Sequence, residues 1–192
     1  MGYTTEFEGS IKIQPPLNET EVKYIKKLNE TRRMQRGNGP YFVGGSGEFG
    51  QGKDTDITDY NKPDRTQPSL WCGWTVSDDG SELFWDGAEK AYYMAEWLDY
   101  IIAHFLDKKP IAKEINEHFH FLQGHDLSGT VMARGEEMED LWQIDVEANK
   151  VFTSDVVGHA TPQMKPVNWV KENMPDATVK LITVDPIEGE VI

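Results

Sequence analysis

The sequence predicts an α+β protein: a largely antiparallel sheet with two main helices on one face, related to the split βαβ arrangement, plus a C-terminal helix and strand. Three observations carry this prediction. Residues 3–13 alternate apolar and polar side chains, as a half-buried strand does. Residues 88–106 carry apolar side chains at steps of three and four, as a helix does, and short β-prone runs between residues 129 and 154 indicate an antiparallel meander.

The first strand is predicted to stop at Pro15 and Pro16, and a helix follows it. Asn18 with Glu21 three residues later forms a capping-box-like start, and the apolar residues 22, 25 and 28 share one side. We expect this helix to fade near Arg36. Residues 37–69 are rich in Gly, Asp, Asn and Pro, which predicts a long irregular loop rather than a second domain.

A hairpin and the central helix are predicted next. Residues 70–76 and 82–85 are β-prone runs that flank a turn-forming tetrapeptide at 77–80. Asp86 and Glu89 resemble another capping box, which predicts a helix over residues 88–106 that crosses the sheet. Its core-facing residues are predicted to be Ala91, Ala95, Leu98, Ile102 and Phe105.

The C-terminal half is predicted to add mostly strands. Residues 111–126 are ambiguous, whereas 129–134, 141–146 and 151–154 are three β-prone runs separated by polar segments. Residues 156–192 form a C-terminal extension with a short helix around residues 167–170 and a last strand over 178–184. The whole chain, residues 1–192, is therefore predicted to be a single domain.

Composition narrows the function classes. The chain of 192 residues has 33 acidic and 19 basic residues and a net charge of −14, which disfavours general binding to nucleic acids or anionic membranes. A single cysteine, Cys72, lies in an apolar run and is expected to be a buried structural thiol. With neither a signal-peptide pattern nor a run of apolar residues that would span a membrane, the sequence predicts a cytoplasmic protein without a cofactor.

Several segments resemble a family of small bacterial and bacteriophage proteins to which no activity is assigned. The matching segments are residues 3–9, 30–34, 41–47, 70–74, 85–90 and 96–98. Residues 111–124 depart from the family's pattern, and residues 156–192 look like an addition. No activity and no catalytic residues carry over from the resemblance, and for a phage-encoded chain the expected location is the host cytoplasm.

A basic cluster is the sharpest charge feature. Arg32, Arg33 and Arg36 precede a glycine-rich stretch that contains Lys53, and guanidinium groups beside glycine-rich backbone could cradle a phosphate or carboxylate. The glycine spacing is neither that of a P-loop nor that of a dinucleotide fingerprint. Because charge runs are usually solvated, we favour a solvated helix face over an anion site.

Histidines and aromatic residues give further candidate sites. His118, His120, His125 and Asp126 could ligate zinc if the first two shared one face of a strand. The alternating Phe119 supports the simpler amphipathic interpretation, with histidines facing outward. The aromatic residues 71, 74, 85, 92, 93 and 97 could line a ligand groove, but core packing is the favoured interpretation.

Three functions remain open on this sequence. The favoured one is an acidic, non-enzymatic binding or inhibitor protein, of a phage accessory type, that engages a protein partner. The first alternative is a protein that binds or sequesters a small phosphorylated ligand such as a nucleotide, through Arg32, Arg33, Arg36 and Lys53. The second is a metal-dependent hydrolase that uses the histidine cluster.

Overall fold

The computed structural model describes residues 3–44, 54–137, 140–156 and 163–174. The strands in these ranges are β1 (Glu6–Gln14), β2 (Met34–Arg36), β3 (Ile57–Pro63), β4 (Trp74–Val76), β5 (Glu82–Trp85), β6 (Asp126–Arg134), β7 (Leu141–Glu147), β8 (Lys150–Asp155) and β9 (Lys165–Pro166). The helices are α1 (Glu19–Glu30), α2 (Met94–Ile101), which continues as a π-helical turn (Ile102–Leu106), α3 (Ile111–Ile115), a 3₁₀ turn (Glu117–Phe119) and α4 (Trp169–Asn173).

A seven-stranded antiparallel sheet in the order β4-β5-β1-β6-β7-β8-β9 organises the described residues, and β2 pairs separately with β3. The predicted α+β class is therefore confirmed. Ile11, Val131 and Ile144 lie on the inner face of neighbouring strands and are fully buried. Helix α1 packs against β4, and α2 packs against β4 and β8, so the helices cover this inner face. Among the described residues no helix is long and apolar enough to cross a membrane.

The opposite face of the sheet, called the outer face here, carries the alternate residues of the same strands. Glu6 and Glu8 of β1 and Arg134 of β6 are exposed there, and Met132 is half-buried. Because strand side chains alternate between faces, burial of the inner residues places these residues on the outer face.

Helix α1 begins as predicted but ends earlier than predicted. Asn18 accepts hydrogen bonds from the backbone N–H groups of Thr20 and Glu21, and the Glu21 side chain completes the capping box. The helix ends at Glu30, because Thr31 is extended and bonds back to the Lys27 carbonyl oxygen through its N–H and hydroxyl groups. Residues 34–36, which were predicted to be the helix end, form strand β2.

The predicted irregular loop over residues 37–69 contains regular structure, which is a correction. Strand β3 (Ile57–Pro63) pairs with β2, with irregular register. Tyr41, Phe42 and Val43 are buried in the main core, and Gln67 is 3% exposed. Parts of this segment therefore pack against the main core, whereas residues 45–53 lie outside the described ranges.

The central helix starts six residues later than predicted, at Met94, and the predicted capping box at Asp86 does not form. Asp86 instead accepts hydrogen bonds from the side chain of Asn29 and the N–H of Ala88. Gly87 has φ +84° and Tyr93 has φ +58°, and these left-handed conformations interrupt a right-handed helix. Four of the five residues predicted to face the core are buried (Ala95, Leu98, Ile102 and Phe105); Ala91, which precedes the helix, is half-buried and packs against the core.

The meander and part of the C-terminal extension agree with the sequence prediction. Strands β6, β7 and β8 pair consecutively in antiparallel fashion. The short helix predicted around residues 167–170 is α4, which packs against α2. The strand predicted over residues 178–184 lies outside the described residues.

Candidate functional site

The basic cluster is built into the interior rather than onto a solvated helix face. Arg33 is 1% exposed, and its Nη2 donates to the carbonyl oxygens of Pro40, at 3.0 Å, and Phe42. These hydrogen bonds attach the backbone at Pro40 and Phe42 to Arg33. The favoured interpretation of a solvated face is wrong for this residue.

Arg36 is also buried, at 5% exposure, and it is paired with carboxylates. Its Nη1 lies 3.0 Å from Asp54 Oδ2 and 3.1 Å from Asp56 Oδ1, and its guanidinium carbon lies 5.1 Å from the centre of the Phe42 ring. Two carboxylates already neutralise this cation, so one edge of the predicted anion site is occupied by the protein's own acids. Arg32 is half-buried, and Lys53 lies outside the described residues.

Both buried arginines retain unpaired donors. Nε and Nη1 of Arg33, and Nε and Nη2 of Arg36, are buried without a hydrogen-bond partner within the described part of the chain. A buried donor without a partner costs free energy, and anions are the natural acceptors for guanidinium groups. The unpaired guanidinium donors therefore favour an anion site at these two arginines.

The histidine cluster is not brought together as a metal site. His118 and Phe119 lie in the 3₁₀ turn rather than on a strand, and His120 follows it exposed to solvent. Asp126 pairs with Lys108, with 2.8 Å between Oδ1 and Nζ. No group of three or more potential ligands that could hold a metal ion occurs among the described residues. Phe119 is fully buried, as the amphipathic interpretation predicts.

His125 instead forms a buried ion pair with Glu21 that joins helix α1 to the start of β6. Its Nε2 lies 3.2 Å from Glu21 Oε1, and its Nδ1 lies 2.7 Å from the Pro15 carbonyl oxygen, so both ring nitrogens face acceptors. Burial alone would lower the pKa of His125, but the hydrogen bonds to Glu21 and to the Pro15 carbonyl outweigh it and raise the pKa above its ordinary value. The pair is a structural clamp.

Two other candidate reactive groups are buried and held in unreactive forms. Cys72 is buried, as predicted, and burial raises the pKa of its thiol to about 12, which keeps it protonated. Burial lowers the pKa of His104 to about 3, so this imidazole is neutral. His104 Nδ1 lies 2.5 Å from the Tyr41 hydroxyl oxygen, and its ring stacks on that of Tyr100.

The sheet has an opening where two neighbouring strands diverge, and residues of both faces border it. Strand β5 is registered with β1 only at Leu83 and Glu82, which face Ile11 and Lys12. Beyond Leu83, strand β5 stays with β4, with Trp85 opposite Trp74. The N-terminal half of β1, residues 6–10, is thus paired with β6 on one side and has no strand partner on the other within the described residues. We call this opening the β1–β5 cleft.

A hollow of about 270 Å³ lies at the β1–β5 cleft. Its aromatic wall is formed by Phe7 and Trp85, whose ring centres are 5.8 Å apart in an edge-to-face arrangement. The indole Nε1 of Trp85 is buried and has no hydrogen-bond partner in the described part of the chain. The full lining is Glu6, Phe7, Glu8, Trp85, Met132, Arg134 and Leu141.

Carboxylates outnumber cations at the hollow. Glu6 and Glu8 contribute two negative charges to the lining, and Arg134, which faces Glu6 across the β1–β6 pair, contributes one positive charge. Glu136 lies beside the start of β1, because its Oε1 accepts the N–H of Thr4 at 2.8 Å. The rim therefore attracts cationic groups, while thioether, leucine and indole surfaces supply apolar contact.

The aromatic residues divide between core and surface. Trp74 and Trp97 are fully buried, which confirms core packing for them, whereas Trp71, Tyr92 and Tyr93 are between 42% and 54% exposed. Sequence reasoning did not single out Glu6, Glu8, Met132, Arg134 or Leu141, since no local motif distinguishes them from other residues of β-prone runs.

Comparisons of the chain with protein-family models, curated proteins and solved structures found no match. The resemblance to a bacterial and bacteriophage family is therefore an expectation from the sequence alone.

Proposed function

We propose that this protein is an acidic, non-enzymatic binding or inhibitor protein that engages a basic protein partner at the β1–β5 cleft. The observation that carries the proposal is the hollow itself, where carboxylates border an aromatic and aliphatic wall beside a strand edge that no other described strand covers. Aromatic side chains in such a wall favour tight packing, and complementary charge accelerates and orients association. The family resemblance adds the narrower expectation of a phage-type accessory role.

The charge of the cleft provides the test. Glu6→Lys combined with Glu8→Lys should weaken binding of a captured basic partner by about tenfold or more, because attraction at the rim becomes repulsion. Glu114→Lys combined with Glu117→Lys is the matched control, since both residues are exposed in the helical layer and the change in net charge is identical.

The measurement is a titration of the partner by calorimetry at low and at physiological salt, with far-ultraviolet circular dichroism to verify folding. The proposal predicts a loss that is specific to the cleft variant and shrinks at higher salt, because surface charges are screened. Equal affinities of the cleft variant and the control would contradict it.

A second candidate function is binding of a small phosphorylated ligand at Arg33 and Arg36, favoured by their buried unpaired donors. Inorganic phosphate is the simplest probe. If it binds there, phosphate at about 100 times its dissociation constant should raise the unfolding free energy by about 2.7 kcal/mol relative to chloride at equal ionic strength. An unchanged melting temperature would count against this candidate.

A further inference from the structure

We propose that the partner binds by strand addition: an extended, basic segment pairs with the free edge of β1 and inserts a lysine or arginine side chain into the hollow. This inference rests on the proposed function and adds to it the mode of binding and the chemistry of the bound segment. Three features carry it, namely the backbone of β1, the divergence of β5, and the composition of the hollow.

Among the described strands, none pairs with the backbone of β1 on the side that β5 leaves. The Ile13 N–H donates to the Ser81 carbonyl oxygen at 2.8 Å, so odd-numbered residues of β1 turn their backbone groups toward β5. In an antiparallel pair this direction alternates along the strand. Phe7 and Gly9 therefore face the same side, where β5 has already departed, while Glu8 faces Met132 of β6.

An exposed strand edge of this kind commonly pairs with an extended segment of another chain. The departure of β5 toward β4 leaves room beside residues 6–10, and the hollow of about 270 Å³ occupies part of that room. An added strand would satisfy the N–H and carbonyl groups of Phe7 and Gly9. Its alternate side chains would point to the two faces of the sheet, so every second residue could reach the hollow.

The hollow favours a long cationic side chain. The aliphatic stem of lysine or arginine would contact Met132, Leu141 and the Trp85 ring, while its charged end would reach the carboxylates of Glu6 and Glu8. Arg134 balances one carboxylate, which leaves a net charge of −1 among the lining side chains. A negatively charged segment would be repelled by this lining and by the chain's overall charge of −14.

Selection from a randomised library of extended peptides, followed by N-methylation of the best binder one residue at a time, tests the inference. Strand addition predicts selected sequences with lysine or arginine at every second position. It also predicts an alternating pattern, in which methylation of residues that donate to β1 weakens binding about tenfold or more and methylation of the intervening residues has little effect.

The alternative outcomes separate the two proposals. Uniform tolerance of N-methylation, together with loss of binding in the Glu6→Lys, Glu8→Lys double variant, would overturn strand addition and leave the proposed function standing. Selected peptides that bind the double variant as tightly as the unaltered protein would overturn both. Selection of acidic or uncharged peptides would overturn the assigned chemistry of the bound segment.

Discussion

Replacing Glu21 by Ala is expected to lower the free energy of unfolding by about 3–5 kcal/mol near pH 6, because removal of one partner leaves the buried His125 cation uncompensated. Glu21 is fully buried and accepts three hydrogen bonds: from the N–H of Gln123 at 2.5 Å, from Asn18 N–H at 2.9 Å and from His125 at 3.2 Å. Denaturant unfolding measures the loss.

The same variant should show a specific pH dependence. Because the folded-state pKa of His125 is raised, the stabilising contribution of the pair is fully present below the unfolded value of about 6.5 and is lost as pH rises through the folded value. The cost of Glu21→Ala should therefore be smaller near pH 9 than near pH 6. Changing Glu21 and His125 together should cost less than the sum of the single changes; additive costs would show that the pair is not coupled.

Replacing Leu98 by Ala is expected to cost about 2–5 kcal/mol of unfolding free energy. Leu98 lies in the middle of α2, is fully buried and belongs to the main core, so truncation removes buried apolar surface and leaves a cavity. Thermal and denaturant unfolding measure the effect. Glu114→Ala, at an exposed position of α3, is the control and should change stability by no more than about 0.5 kcal/mol. A loss of similar size for Leu98→Ala would show that this face is not core.

The elements that the sequence predicted well are those specified by local pattern. The alternation in β1, the capping box at Asn18 and the apolar spacing that includes Leu98 each lie within one segment, so one sequence suffices to recognise them. The sequence did not predict the late start of α2, because the apolar spacing extends back to Ala91 whereas the helical backbone begins only at Met94. Gly87 was a usable sign, as glycine often marks a positive φ.

The candidate sites depended on contacts that the sequence does not display. Arg33 is buried because residues 40 and 42 pack over it and accept its hydrogen bonds through their carbonyl oxygens. Arg36 is buried because Asp54 and Asp56, about 20 residues later in the chain, pair with it. Those two acids just beyond the basic cluster were the available sign of pairing. The β1–β5 cleft arises where β5 leaves β1 at Leu83, which is a property of strand pairing between distant segments.

Amide hydrogen exchange of β1, measured residue by residue by nuclear magnetic resonance, tests the free edge most directly. The register predicts that in the protein alone the amides of Phe7 and Gly9 exchange at least about tenfold faster than those of Glu8 and Ser10, which face β6. Addition of a bound basic peptide should slow Phe7 and Gly9 selectively. Equal protection of all four amides in the protein alone would contradict the account, because the edge of β1 would then already be occupied.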